Sequence, residues 1–224
     1  MLYDSVPVRI APFECTYWVM ENRWANTDAP RGNEYDARWL ALQAQGVEVH
    51  GEADCVEALV QRFGVVRSVI DAGCGTGRVA IELAARGFRV LGIDTDAAML
   101  ETAQVKAPYL RWIQADLSAW TTTTAASERF GAVVLAGNVM IFVAPGTEGA
   151  VLQSMANTLE PHGILVAGFQ VRRDRISLRD YDLAATAAGL DLVERFATWQ
   201  GEPYTGGDYA VSVHRIASLQ ALTD

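Results

Sequence analysis

The sequence predicts an α/β fold, a doubly wound and mostly parallel seven-stranded sheet with an antiparallel C-terminal hairpin. From residue 68 onward, short apolar segments alternate with helical patterns, which is typical of right-handed βαβ crossovers and a parallel sheet. The last two apolar segments are separated only by QGEPYTGG, residues 200–207, whose turn residues predict a hairpin. Half of the 224 residues are hydrophobic, so we expect one domain with a substantial core.

The strand candidates are short apolar segments, each bounded by turn residues or by a helical pattern. In chain order they are SVIDA (68–72), RVLGID (89–94), YLRWIQAD (109–116), FGAVVLAG (130–137), ILVAGFQ (164–170), DLVERFATW (191–199) and DYAVSVHRI (208–216). His214 alternates with the apolar residues of the last strand, which predicts an exposed position.

The helix candidates between these strands carry apolar residues at helical spacing. They are RVAIELAARG (78–87), DAAMLETAQ (96–104), TEGAVLQSMANTLEPHG (147–163) and SLRDYDLAATAAGL (177–190). The third is expected to end in a turn at EPHG, residues 160–163, directly before the fifth strand. Gly189 is expected to end the fourth.

The first 64 residues differ from the rest and are predicted to form a helical lid on a core of residues 65–224. Residues 1–45 hold three of the six tryptophans, and NTDAPRGN (26–33) reads as a linker. Two helix candidates follow, NEYDARWLALQAQG (33–46) and GEADCVEALVQRFG (51–64). A segment this short rarely folds unaided, so its aromatic residues are expected to cover the core or a ligand.

Charge and composition exclude several classes of protein. The net charge of −9 argues against a large nucleic-acid surface, which normally needs a basic stripe. No apolar stretch approaches the roughly 20 residues that span a bilayer. The start, MLYDSVPVRI, lacks the pattern of a secretory signal. We therefore expect a cytoplasmic protein without nucleic-acid or membrane partners.

The three cysteines, Cys15, Cys55 and Cys74, are odd in number and irregularly spaced. This pattern favours neither a disulfide framework nor a metal site, so three free thiols and no metal are predicted. Cys74 lies inside a glycine-rich loop, where it is either a nucleophile or, as we favour, a small residue in a tight turn.

That loop, DAGCGTG at residues 71–77, joins the first strand to the helix after it. Open parallel sheets bind ligands at this edge, near the switch point in strand order. The dinucleotide fingerprint needs glycine at its first, third and sixth positions. Here Gly73 and Gly75 fill the first two, but Arg78 takes the sixth. A Gly-Lys-Ser/Thr phosphate loop is also absent.

Three carboxylates at successive strand ends narrow the ligand further. Asp71, directly before the loop, would repel a pyrophosphate but suits the ammonium and sulfonium of S-adenosylmethionine. Asp94 follows about 20 residues later and could accept the hydroxyls of a ribose, a placement that NAD shares. Asp116 ends the third strand and could accept an adenine amine.

The segments VIDAGCGTGRVAIELA, VLGIDTDAAML, IQADLS, FGAVVLAGNVMIFV and LEPHGILVAGF together resemble class I S-adenosylmethionine-dependent methyltransferases. The resemblance covers about residues 65–170 motif by motif, and the remainder in element order. It implies a Rossmann-like fold, S-adenosylmethionine as cofactor and S-adenosylhomocysteine as product. It says little about the methyl acceptor.

The resemblance also implies a role for each matching position. The methionine part of the cofactor would be lined by Asp71, Gly73, Cys74, Gly75 and Gly77. The ribose would be held by Asp94, with the adenosine beside Thr95 and Met99 and the adenine flanked by Ala115, Asp116 and Leu117. The methyl-transfer site would be bordered by Gly137, Asn138 and Val139. The cofactor's carboxylate is within possible reach of Tyr35, Arg38 and the HGE stretch at 50–52, for which a surface or packing role is the alternative.

A methyl transfer of this kind is an in-line displacement that depends mainly on alignment and water exclusion. A general base is needed only for a weak nucleophile, and the sequence identifies no catalytic residue. The Asn-Pro-Pro-aromatic motif of DNA amine methylation is replaced by GNVMIF. The acceptor is therefore expected to be a small molecule with an O- or N-nucleophile.

The segment VRRDRISLRDY, residues 171–181, follows the fifth strand and holds Arg172, Arg173, Arg175 and Arg179. These arginines either bind an anionic acceptor or form a solvated loop. Two other functions stay open at this point. An NAD(P)-dependent oxidoreductase would conflict with Arg78, whereas a non-catalytic S-adenosylmethionine-binding protein would keep every motif.

Overall fold

The computed structural model describes residues 22–120 and 128–217. Its seven strands form one sheet in the order β3-β2-β1-β4-β5-β7-β6. The strands are β1 (Ser68–Ala72), β2 (Arg89–Asp94), β3 (Arg111–Gln114), β4 (Phe130–Leu135), β5 (Leu159–Gln170), β6 (Leu190–Phe196) and β7 (Tyr209–Ile216). The helices are α1 (Gly32–Ala44), α2 (Gly51–Phe63), α3 (Arg78–Ala85), α4 (Ala97–Lys106), α5 (Val139–Phe142), α6 (Glu148–Ala156) and α7 (Leu178–Ala187). Cys15, Trp18 and the rest of residues 1–21 of the lid segment lie outside the described residues.

The predicted fold class is confirmed by the pairing of the strands. β1 pairs in parallel with β2 and β4, and β2–β3 and β4–β5 are also parallel. β7 runs antiparallel to both β5 and β6 and lies between them. The strand order reverses between β1 and β4, and this switch point opens a crevice at the carboxyl edge of the sheet.

Helices cover both faces of the sheet because its central strands are apolar on both sides. In β1, Val69 faces the layer that contains α2 and α3, while Ile70 faces the layer that contains α5, α6 and α7. This alternation follows from the two-residue period of a strand. Helix α2 contributes buried residues such as Val56 and Leu59 to the first layer, so it forms part of the core.

Two local expectations are corrected by the structure. Strand β5 already begins at Leu159, and EPHG lies within its span instead of preceding it. The pairing with β4 jumps from Phe130↔Leu159 to Ala132↔Ile164, so the extra residues bulge, with His162 at a left-handed φ of 69°. His214 is fully buried, because β7 is an inner strand covered by helices. Within the described ranges, no helix combines the length and apolar character needed to cross a membrane.

Candidate cofactor site

A cavity of about 950 Å³, counted to its open mouth, lies at the carboxyl edge of the sheet. Its size is within the range of small-molecule sites. Thirteen of the sixteen residues that the family resemblance implicates line it: Tyr35, Asp71, Gly73, Cys74, Gly75, Asp94, Thr95, Met99, Ala115, Asp116, Leu117, Gly137 and Val139. The structure therefore brings together side chains from the ends of four neighbouring strands.

The glycine loop follows β1 so tightly that side chains are excluded at defined positions. Gly73 has a φ of 79°, and a Cβ there would lie 2.4 Å from a methyl of Val139. The loop thus touches the start of α5 across the switch point. Gly77 is not a lining residue; a Cβ on it would lie 2.5 Å from the Trp112 ring. Its side chain is excluded by packing against β3.

Asp71 is 1% exposed, and one of its oxygens accepts the N–H of Ala80 at 3.0 Å, in the first turn of α3. Burial raises the pKa of its carboxyl to about 7. An uncompensated buried carboxylate is costly, so a bound cation would favour the ionised form of Asp71.

Asp94 is oriented by two backbone groups, one on each carboxylate oxygen. The N–H of Gly75 donates at 2.7 Å to Oδ2 and that of Asp96 donates at 2.9 Å to Oδ1. Since each oxygen has two lone pairs, both can still accept a ligand hydroxyl. Burial raises the pKa of this carboxyl. Asp116 is exposed, and its Oδ1 accepts the N–H and the hydroxyl of Ser118, each at 2.8 Å.

Cys74 is buried and unpaired. Burial, reinforced by Asp71 and Asp94, raises the pKa of its thiol well above the ordinary value. Because the thiolate is the nucleophilic form, this environment supports the packing interpretation of Cys74. No group of three or more potential metal ligands occurs within residues 22–120 and 128–217.

Arg78 lines the cavity, although the sequence marked it only as a departure from the dinucleotide fingerprint. Its guanidinium forms a two-pronged ion pair with Glu52, at 2.9 and 2.5 Å, and stacks 4.0 Å from the Trp39 ring centroid. Burial acts to lower the pKa of Arg78, but the pair with Glu52 outweighs it and the pKa is raised. Arg38 is exposed and lies outside the lining.

Asn138 also lies outside the lining. It adopts a left-handed φ of 71°, and its side-chain oxygen accepts the N–H of Gln170 at 2.8 Å. Its own N–H donates to the carbonyl of Gly168 at 3.2 Å. Asn138 thereby ties the loop after β4 to the end of β5, beside the cavity.

Residues 22–31, which we call the strap, pass over the mouth of the cavity, and Asn22 and Trp24 line it. The Trp24 ring meets Phe142 edge-on at 5.5 Å and Tyr35 at 6.3 Å. The sequence analysis interpreted this segment as a linker and assigned no site residue to it. Only its aromatic content indicated a cover.

The arginine segment after β5 does not reach the cavity lining. Arg172, Arg173 and Arg179 are exposed and Arg175 is half-buried. Asp174 pairs with Arg172 at 3.3 Å and also with Arg175. The segment nevertheless starts at the carboxyl end of β5, the same edge of the sheet as the cavity.

Comparison with known proteins identifies relatives of this architecture. Residues 69–163 match the family described as "Methyltransferase domain". A TehB-like SAM-dependent methyltransferase from Corynebacterium glutamicum is 33% identical, with a TM-score of 0.72 over 81% of this chain and 96% of that one. The SAM-bound amino pentose methyltransferase CalS10 from Micromonospora echinaspora shares the fold, with a TM-score of 0.66 over 85% of this chain and all of that one at 19% identity.

A trans-aconitate 2-methyltransferase from Paracidovorax citrulli is 34% identical over 128 residues, which are 56% of this chain and 47% of that protein. The chain thus spans less than half the length of this relative.

Proposed function

Because this chain belongs to the class I S-adenosylmethionine-dependent methyltransferases, we propose that it transfers a methyl group from that cofactor to a small-molecule acceptor by in-line displacement. The observation that carries the proposal is the meeting of Asp71, Asp94 and Asp116 in one cavity. Family membership sets aside the oxidoreductase alternative. The non-catalytic alternative is left to experiment.

The charges around the cavity fit S-adenosylmethionine better than a dinucleotide. Three carboxylates face one lining cation, Arg78, among the described residues, and Arg78 is already paired with Glu52. A pyrophosphate would meet net repulsion there, whereas the ammonium and sulfonium of S-adenosylmethionine would meet attraction. The two oriented oxygens of Asp94 suit the two hydroxyls of a ribose.

We assign the contacts of the bound cofactor accordingly. Asp94 accepts the ribose hydroxyls, and Asp116 accepts the adenine amine. Asp71 faces the positively charged methionine part, beside the close backbone approach allowed by Gly73 and Gly75. Arg78 takes the place that the sequence analysis gave to Arg38, as the cation nearest the cofactor's carboxylate.

The chain's contribution to the reaction is alignment and exclusion of water. When bound, the cofactor supplies a methyl group that the positive sulfur already activates. Val139 and Gly137 border the acceptor side, and Trp24 with Phe142 covers it. We assign no general base, because an ionised carboxylate or a neutral amine does not need one.

We further propose a carboxylate-bearing acceptor. A relative of this chain is named trans-aconitate 2-methyltransferase, and the exposed Arg172 and Arg173 leave the same edge of the sheet. Guanidinium groups bind carboxylates through paired hydrogen bonds. We retain two coarser proposals, a cytoplasmic location and a lid, the latter narrowed to residues before α2 because α2 belongs to the core.

The deciding experiment measures S-adenosylhomocysteine formation with a panel of small carboxylates, alcohols, phenols and amines. Turnover that depends on a carboxylate would support both proposals. Turnover only with amines would support methyl transfer but contradict the carboxylate acceptor. Tight cofactor binding without turnover on any panel member would favour the non-catalytic alternative, and absence of cofactor binding would contradict the function altogether.

A further inference from the structure

Asp96 connects the strap to the loop that follows β2. Its Oδ2 accepts the indole N–H of Trp24 at 2.8 Å and the Nε–H of Arg31 at 2.6 Å. The two partners also hold each other, since the Arg31 guanidinium lies 4.1 Å from the Trp24 ring centroid and donates to the Trp24 carbonyl at 2.9 Å. We call this arrangement of Trp24, Arg31 and Asp96 the clasp.

The other oxygen of Asp96 has a separate task. Oδ1 accepts the N–H groups of Ala98 at 3.0 Å and Met99 at 3.3 Å, which makes Asp96 the N-cap of α4. Its backbone N–H orients the neighbouring Asp94. One residue therefore combines a helix cap, a support for the proposed ribose carboxylate and an anchor for the strap.

The strap is fastened at its opposite end as well. The N–H groups of Arg23 and Trp24 donate to the carbonyl of Phe142 at 2.7 and 3.3 Å, and the Arg23 side chain approaches Glu148 at 3.7 Å. The strap thus runs from the end of α5 to the start of α4, from the acceptor side of the cavity to the proposed ribose side.

The clasp is partly withdrawn from water. The Arg31 side chain is 25% exposed and that of Asp96 is 14% exposed. Burial acts to raise the pKa of the Asp96 carboxyl, but the hydrogen bonds from Trp24, Met99 and Arg31 outweigh it and the pKa is lowered. Charge-assisted hydrogen bonds in such surroundings are stronger than neutral ones. Opening the strap at this end would break both bonds to Oδ2.

We propose that Asp96 is a positioning residue that holds the strap closed over the cavity, so that it slows release of the bound cofactor or product and keeps the Trp24 ring at the acceptor side. The retention of ligand rests on the proposed function, since it takes the cavity to be the cofactor site. The clasp itself does not depend on that function.

The variant Asp96→Asn separates the cap from the clasp. Asparagine caps helices about as well as aspartate, so its side-chain oxygen can keep α4 capped. Its amide NH₂ would then face the donors of Trp24 and Arg31, which breaks the clasp. The control Ser177→Ala removes the N-cap of α7, where Ser177 accepts the N–H of Asp180, without a strap contact.

Two measurements read the clasp. Stopped-flow dissociation of S-adenosylhomocysteine should be faster in Asp96→Asn by about tenfold, the effect of one charge-assisted hydrogen bond. Hydrogen exchange in the ligand-free protein should be faster at residues 22–31. Arg31→Gln should act in the same direction, and the double variant should be no faster than the more affected single one, because both remove one contact. Ser177→Ala should change neither reading.

With an acceptor identified, Asp96→Asn should raise its KM more than it lowers kcat, because the strap shapes the acceptor side. Unchanged ligand dissociation and unchanged exchange in both folded variants would overturn the proposal. If the parent binds no S-adenosylhomocysteine, the proposed function fails, and the exchange comparison without ligand still decides whether Asp96 holds the strap.

Discussion

At the scale of single residues, Asp94 and Asp71 show how the same side chain acquires different tasks from its surroundings. Asp94 accepts a backbone N–H on each oxygen, which fixes its plane and leaves acceptor capacity towards the cavity. Asp71 accepts only the N–H of Ala80 among its described partners and lies deeper. The first arrangement suits hydroxyl groups, and the second suits a positive charge.

We expect Asp94→Ala to weaken S-adenosylmethionine binding by about one to two decades, the worth of a charge-assisted hydrogen bond of roughly 1.5–3 kcal/mol. Isothermal calorimetry on the parent and the variant measures this. Asp191→Ala, an exposed carboxylate on β6, controls for net charge. An unchanged dissociation constant in a folded Asp94 variant would remove this residue from the site.

Asp71→Asn should change the pH dependence of stability. The folded-state pKa of Asp71 is raised to about 7 from an ordinary 3.8, so the folded protein favours the protonated form. Its contribution is fully present below about pH 4 and is lost as the pH rises towards 7. Urea unfolding should therefore show a free-energy advantage of the variant that grows between pH 4 and 8, up to about 4 kcal/mol. Parallel curves for parent and variant would contradict this, and cofactor affinity should fall in the variant.

At the scale of elements, inner strand β7 places a histidine where solvent cannot reach it. His214 is fully buried and packs edge-on against Tyr181, with ring centroids 5.3 Å apart. The nearest carboxylate, Asp182, lies 3.7 Å from its Nε2, and Asp182 is already paired with Arg195. Neither ring nitrogen has a hydrogen-bond partner among the described residues.

Burial lowers the pKa of His214 to about 4 from 6.5, so the folded state disfavours the protonated ring. Its effect is absent above about pH 7, and stability is lost as the pH falls towards 4. We expect the parent to lose about 2 kcal/mol relative to His214→Leu between pH 7.5 and 5. Comparing the two proteins at each pH cancels the opposite trend from Asp71. A constant difference across this range would show that His214 is protonated equally in both states.

The loop after β5 carries the test of the acceptor charge. Arg172→Ala with Arg173→Ala should raise the KM for a carboxylate acceptor by about tenfold, the loss of one charged contact, and leave cofactor affinity unchanged. Replacing Arg179, which is exposed on the first turn of α7, by alanine serves as the matched control. Equal kinetics for parent and double variant would assign this loop to solvent.

At the scale of the whole molecule, the boundary between cover and core differs from the predicted division after residue 64. Helix α2 buries Ala53, Val56, Leu59 and Val60 in the layer beside α3. Helix α1 has one buried residue, Gly32, and is held by polar contacts, including Asp36 with Thr76 at 2.5 Å. The segment before α2 can therefore leave the core without exposing an apolar face.

We expect deletion of residues 1–44 to leave a folded sheet without methyl transfer, and deletion of residues 1–64 to unfold the protein. Exposing several buried aliphatic side chains costs about 1.5–3 kcal/mol each, which together exceeds the margin of a typical domain. Circular dichroism melting and the turnover assay distinguish the two deletions. Full turnover by the shorter deletion, or normal melting of the longer one, would contradict this division.

Local pattern was sufficient for the sheet, the glycine loop and the three carboxylates, because strand alternation and strand ends depend on neighbours in the chain. The tertiary structure alone decided the contacts of Asp96 with Trp24 and Arg31, which are 72 and 65 residues away. It also decided the pairing of Arg78 with Glu52 and the burial of His214, which follows from β7 lying between β5 and β6. Periodicity reports which face of an element is apolar, but not which distant side chain meets it. Such contacts arise only when packing brings separate elements together, so the strap and its clasp became visible only in the folded molecule.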